Sequence, residues 1–280
     1  MVKFKRLRLW RSRGLIWLSV MAASAHLAVG CGGGSEPGTP DEALSRGKEI
    51  VREMSDLLEK TNAFTVSTDE IHERVRRTGE VDTLRFSRDM TVRRPDRAWF
   101  HMKAADRELE GWYDGDSLTL VSAGKKMWAQ APMPPTLDEA MDYLATEYGL
   151  PVPMADLVYR SPYEALITDE TQGGWVGVEE AGGQTCDHLA FQEETVDWEI
   201  WVPQEGEPLP CQLRITYKQL PAQPKSTITF HDWNLDPQID EGRFTARVPE
   251  DFQRIRVVGP STGDAAGAPT PAAEEGVTQN

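Results

Sequence analysis

The sequence predicts an α+β fold, one large antiparallel sheet with helices inserted into it. Two stretches, residues 84–121 and 175–248, alternate apolar and polar side chains at the two-residue period of a half-buried strand. Three shorter segments switch to helical spacing. Each opens with a hydroxyl residue followed three positions on by Glu, the pattern that caps free N–H groups at a helix start. No internal repeat or linker divides the body, so a single domain must hold both kinds of element.

In chain order, Thr39-Pro40-Asp41-Glu42 starts the first helix, with proline at the first helical position, where its missing N–H costs nothing. Leu44, Val51, Met54, Leu57 and Leu58 then recur at helical spacing up to Lys60. Leu84, Phe86, Met90 and Val92 share one strand parity before a turn at Arg94-Pro95-Asp96-Arg97. Residues 109–113 and 118–121 flank Asp114-Gly115-Asp116, a hairpin turn. Thr136-Leu137-Asp138-Glu139 opens a second amphipathic helix through Ala140, Met141, Leu144 and Tyr148, stopped by Gly149. Ser161-Pro162-Tyr163-Glu164 opens a short third one, residues 162–167. Beyond Thr171 the chain reads as a meander with strands near 175–180, 186–192, 196–202, 211–218 and 227–233, and a last strand at 244–248.

The ends differ from the body. The first thirteen residues carry Lys3, Lys5, Arg6, Arg8, Arg11 and Arg13 and no acid, and an apolar stretch follows, the layout of an export signal. It ends in Leu27-Ala28-Val29-Gly30 ahead of Cys31, which resembles a lipobox, the site where a thiol is acylated and the signal removed. A plain secretory signal and an uncleaved anchor helix are the alternatives, the stretch being slightly short of the ~20 apolar residues of a span. The lipid reading is favoured because Gly32-Gly33-Gly34-Ser35 supplies a flexible tether. The expected organisation is therefore a signal at 1–30, a tether at 31–39, a domain at 40–258, and a Gly-, Ala- and Pro-rich tail at 259–280 that should be disordered. Gly32 after the cysteine, where Asp would retain the protein in the inner membrane, points to the outer membrane and a periplasm-facing domain.

Cleavage before Cys31 leaves 24 basic residues against 45 acidic ones, a formal charge of −21. Such a surface repels phosphate backbones and excludes nucleic acid as a partner. It repels anionic headgroups too, so the acyl chains on Cys31 would be the membrane attachment, each buried methylene contributing ~0.8 kcal/mol.

The mature chain retains Cys186 and Cys211, and an oxidising compartment favours pairing them in a disulfide. In a flat meander both border the 196–202 strand and stand roughly 10 Å apart, beyond the ~7 Å limit between α-carbons. Pairing requires a bent strand end or another strand order, and the sequence leaves this open. Cys186 and His188 share a strand face, but His72, His101 and His231 bring no ligand spacing, so the pair reads as strand and no metal site is expected. No Gly-rich phosphate loop or nucleophile elbow occurs, and no catalytic residues or cofactor are assigned. Seven of the nine tryptophans follow the signal, with Trp198 and Trp201 on opposite faces of one strand. One of them would face a core or cavity and the other outward.

The segments Cys186-Asp187-His188-Leu189-Ala190-Phe191, Asp197-Trp198-Glu199-Ile200-Trp201-Val202, Pro208-Leu209-Pro210 and Trp233-Asn234-Leu235, with Phe244 and Pro249, resemble a family of predicted periplasmic proteins of undefined function, DUF2092. The earlier Arg94-Pro95-Asp96-Arg97, Tyr113-Asp114-Gly115 and Ala155-Asp156-Leu157 fit it as well. That family looks like the LolA and LolB lipoprotein-carrier superfamily. The resemblance implies an incomplete antiparallel β-barrel around an apolar cavity, with helices as its lid, and implies binding of an acylated molecule. It supplies no catalytic residues. On this reading the first helix and the Met141–Tyr148 helix form the lid, and Met141, Leu144, Trp198 and Trp201 are the candidate ligand contacts. A non-enzymatic interaction or sensor module with a filled core, binding another protein, is the competing reading.

Overall fold

The computed structural model describes residues 38–76, 78–150 and 152–257; the signal, Cys31, most of the tether and the tail lie outside these. Helix α1 (Pro40–Lys60) leads into six strands, β1 (Ala63–Val75), β2 (Val81–Arg93), β3 (Arg97–Ala104), β4 (Glu108–Tyr113), β5 (Ser117–Ser122) and β6 (Met127–Pro132). Three helices follow, α2 (Leu137–Glu147), α3 (Ala155–Val158) and α4 (Pro162–Leu166). Then come β7 (Gln172–Ala181), β8 (Gln184–Gln192), β9 (Val196–Pro203), β10 (Gln212–Tyr217), β11 (Lys225–Asn234) and, past a 3-10 turn at Glu241–Phe244, β12 (Gln253–Arg254).

All twelve strands form one sheet in the order β12-β6-β5-β4-β3-β2-β1-β11-β10-β9-β8-β7. It consists of two meanders joined where β1 pairs antiparallel with β11. Every contact in the sheet is antiparallel except the short β12–β6 pair. A sheet of more than ~10 strands seldom stays flat. Here a single buried cluster runs from Ala131 on β6 through α1, α2 and the short helices to Trp175 on β7, so the sheet wraps the helices on its inner side. It remains open, with β7 at one edge and β12 at the other. The fold is α+β, an incomplete antiparallel barrel with inserted helices.

The capping chemistry holds at two helix starts. Thr39 Oγ1 accepts the Glu42 N–H at 3.4 Å while Glu42 Oε2 accepts the Thr39 N–H at 2.7 Å, and Thr136 Oγ1 accepts the Glu139 N–H at 3.3 Å. At α4 it does not: the Ser161 hydroxyl donates to Glu59 Oε1 at 2.5 Å, tying the loop to α1. Three strands have no counterpart in the sequence reading. The inward positions of β1 run Phe64, Val66, Thr68, Glu70 and His72, so its apolar alternation fades halfway. On β3 the adjacent Trp99 and Phe100 blur the period, and on β6 Trp128 does so beside Ala129. The strand expected at 244–248 is instead the end of the 3-10 turn followed by irregular chain; the last strand lies further on, at Gln253–Arg254. Phe244 is still buried, with the Arg93 guanidinium over its ring.

Candidate ligand cavity

Between the inner faces of β2–β5 and helix α2 lies a cavity of about 210 Å³. Its strand wall includes Phe86 and Met90 on β2, Phe100 and Met102 on β3, Leu109 on β4, and Leu118 and Leu120 on β5. Its helical wall is Leu137, Met141 and Leu144 on α2, continued by Leu150, Val152, Pro153, Met154 and Val158. Phe100 lies over Gly111 on the neighbouring strand, where a Cβ would come within 2.2 Å of the ring. Any larger residue at 111 would push the ring into the cavity.

Polar ties hold the helical wall. Arg94 donates from Nη1 to the Thr61 carbonyl at 2.9 Å and from Nη2 to the carbonyls of Tyr159 at 3.0 Å and Leu157 at 3.3 Å. The Tyr159 hydroxyl donates to Asp142 Oδ1 at 2.7 Å, joining α3 to α2. Tyr113 donates to the Pro134 carbonyl at 2.6 Å and fixes the chain entering α2. Burial pushes the Tyr113 phenol up to about 12.

Two polar residues, His72 and Arg88, interrupt the apolar lining. Behind them Glu70 is buried, its side chain fully covered. Arg88 Nε stands 3.2 Å from Glu70 Oε1, and Arg88 Nη2 donates to Oε2 at 3.4 Å. Thr68 donates to Oε1 at 2.9 Å, and His72 Nε2 lies 2.8 Å from Oε2. A carboxylate only accepts, so Nε2 carries the proton and donates. His72 Nδ1 is 2.8 Å from Ser226 Oγ on β11, and the His72 ring stacks on Phe86 with centroids 5.0 Å apart. Burial pushes the Glu70 carboxyl up, but Arg88, His72 and Thr68 together outweigh it and hold the group below its ordinary range.

Of the candidate contacts, Met141 and Leu144 line the cavity. Trp198 and Trp201 are not among its lining residues. They do occupy opposite faces of β9. Trp198 stacks on Phe191 in the main core with centroids 4.3 Å apart. Trp201 faces the other way, into a small cluster with Ala181, Cys186 and Cys211, under a stacked His188. Helix α1, expected as part of the lid, contributes no lining residue; it packs against β7 instead. Cys186 and Cys211 border β9 from β8 and from the residue before β10, as the sequence suggests. In this structure both are free and buried, and the Cys186 thiol donates to the carbonyls of Gln184 at 3.5 Å and Ala181 at 3.7 Å. Burial pushes both thiols up, so neither is a ready nucleophile.

The sequence reading did not mention Glu70 or Arg88, and weighed His72 only as a metal ligand. Its one accessible signal is the parity of β2, where Arg88 is the sole charge in the inward series Leu84, Phe86, Arg88, Met90, Val92. Among the described residues, no group of three or more His, Cys, Asp or Glu is placed to hold a metal ion, and no helix is long and apolar enough to cross a membrane.

Several solved structures are similar to this one. Lipoprotein LppX of Mycobacterium tuberculosis matches at 15% identity over 69% of this chain and 97% of its own, with a TM-score of 0.42. LprF of Mycobacterium bovis matches at 10% identity over 74% and 98%, with a TM-score of 0.40. A LolA superfamily protein of Nitrosomonas europaea matches at 12% identity over 72% and 97%, with a TM-score of 0.34. No curated protein sequence matches the chain. The model of the DUF2092 family, described as predicted periplasmic protein, matches residues 47–258, which is most of the chain and all but the first turns of the folded body, and the chain belongs to that family.

Proposed function

We propose that this is a lipid-anchored, periplasm-facing envelope protein that binds, without catalysis, the acyl chain of a hydrophobic ligand in the cavity under α2. The observation that carries the reading is the cavity itself: about 210 Å³ lined almost wholly by aliphatic, aromatic and methionine side chains. Small-molecule pockets usually span ~300–1,000 Å³, so the space suits one chain of a lipid, glycolipid or lipoprotein more than several. Burial would supply about 25 cal/mol per Å² before ordering costs. Acylation of Cys31, with residues 31–39 as tether, would hold the domain at a membrane, and Gly32 favours the outer one. A tethered binder of this kind acts as a receptor or membrane-docked carrier and not as a diffusing shuttle.

A second reading, a module that binds another envelope protein, is favoured by edge strand β7. Its Val176 and Val178 are 43% and 44% exposed beside an unpaired ladder edge, the arrangement that accepts an added strand. Native mass spectrometry of the unlipidated mature chain, residues 32–280, purified from a bacterial envelope without detergent, separates the two. A stoichiometric lipid or acyl peptide recovered by solvent extraction supports the cavity reading. A mass that stays clean after incubation with envelope lipids overturns it in favour of the β7 edge.

A further inference from the structure

Why an arginine stands in an apolar wall is not answered by stability. A buried ion pair seldom stabilises a fold more than well-packed apolar residues of the same volume, and the neighbours of Arg88 on its own strand face are such residues, Phe86 and Met90. The pair is also lopsided. Glu70 is saturated: its two oxygens take Thr68, His72 and two nitrogens of Arg88. The guanidinium is not, since it has five N–H donors and Glu70 meets only its Nε and Nη2 edge, the Nε contact too poorly aligned for a hydrogen bond. Among the described residues no hydrogen bond or ion pair involves Nη1. Arg88 lines the cavity whereas Glu70 does not, and the rings of Phe86 and Phe100, 5.4 and 5.7 Å from its central carbon, flank the guanidinium.

We infer that Arg88 receives the head of the ligand, so that the cavity selects single-chain amphiphiles ending in an oxyanion, a carboxylate or a phosphate, over neutral ones with the same chain. The inference rests on the reading of the cavity as an acyl site and adds the chemistry of the other end. Glu70 is the positioning residue: shared among Thr68, His72 and Arg88, it holds the guanidinium in one orientation without consuming all its donors. A charge-assisted hydrogen bond in such a setting is worth about tenfold or more in affinity.

The test is isothermal titration of the mature chain carrying Cys31→Ser with decanoate, decyl phosphate and decanol. Both anions are expected to bind about tenfold more tightly than decanol, and the tighter of the two tells whether a free fatty acid or a phospholipid-type head is the better fit. In the double variant Glu70→Gln/Arg88→Gln, which keeps the volume and removes both charges, decanol should bind as before and the anions should fall to its level. Equal binding of all three by the unaltered site, or an anion preference that survives in the double variant, overturns the role of Arg88 while leaving the acyl cavity standing. Binding of none overturns both. Should the double variant fail to fold, the order of the three ligands on the unaltered site still decides.

Discussion

On one side of the β1–β11 seam, α1 lies so close to β7 that a Cβ on Gly47 would come within 2.8 Å of the Gly174 backbone. On the other side, α2 stands over β2–β5 with a cavity beneath it. Both halves offer the helices an apolar inner face. What differs is the residue at the point of closest approach. Gly47 and Gly174 let helix and strand meet backbone to backbone, and Val51, Met54 and Leu58 then fill the space against Leu189, Phe191 and Ile200, all buried. α2 meets the sheet through Leu137, Met141 and Leu144, bulky residues that hold it away, and the strand residues below it, among them Phe86, Met90, Leu118 and Leu120, stay only half-buried. Small residues make the solid half and large ones the hollow half.

Truncations should sort by this difference. Trp198→Ala, in the solid half, is expected to cost ~3–5 kcal/mol of unfolding free energy, whereas Met90→Ala, facing the cavity, should cost under about 2 kcal/mol; urea unfolding measures both, and equal losses would erase the distinction. Next in size is Arg88→Met, which leaves the buried Glu70 short of its cation and should cost ~3 kcal/mol at neutral pH. The sign with pH follows from Glu70. Its folded-state value lies below the ordinary 4.5, so the stability it contributes is present above that pH and is lost as pH falls through the folded value. In Arg88→Met the carboxyl can take a proton more easily, so the stability gap to the parent protein should close as the solution is acidified.

Gly47→Ala tests the close approach itself. An exposed helical Gly→Ala change normally gains ~1 kcal/mol; here the added methyl meets backbone, and a net loss of ~1–3 kcal/mol is expected, read as a lowered Tm. The smallest stability effect belongs to Met141→Trp, which fills the cavity from the helical side and should change stability by less than about 1 kcal/mol. Acyl uptake in the native mass spectrum should nevertheless disappear. A variant that still carries ligand would move the site elsewhere in the hollow half.

Much of the solid half could be read from the chain, because the residues of β8, β9 and β11 that join the main core, Leu189 and Phe191, then Trp198, Ile200 and Val202, then Ile228 and Phe230, recur at every second position and are apolar. The helix starts at Thr39, with its full capping box, and at Thr136, whose hydroxyl caps the Glu139 N–H, were equally plain, since an N-cap is a local arrangement that needs no partner elsewhere. The hollow half was harder to read. β1 escaped notice because Thr68, Glu70 and His72 put polar groups on its inward face, and these are the residues that build the charged end of the cavity. Trp198 and Trp201 were placed on opposite faces, yet their parity could not say that neither would reach the cavity.

By itself the sequence determined the α+β class, the order of most elements, the acidic balance of the chain and the cysteine at position 31, because each is written in the residues themselves: a period, a cap, a charge count, a position. Only the tertiary structure decided which helix covers a cavity and which one fills it, and that Arg88, Glu70 and His72 meet there. Those outcomes depend on distances between strands and helices far apart in the chain, set by whether glycine or a large side chain stands where two backbones approach. No local pattern records that distance.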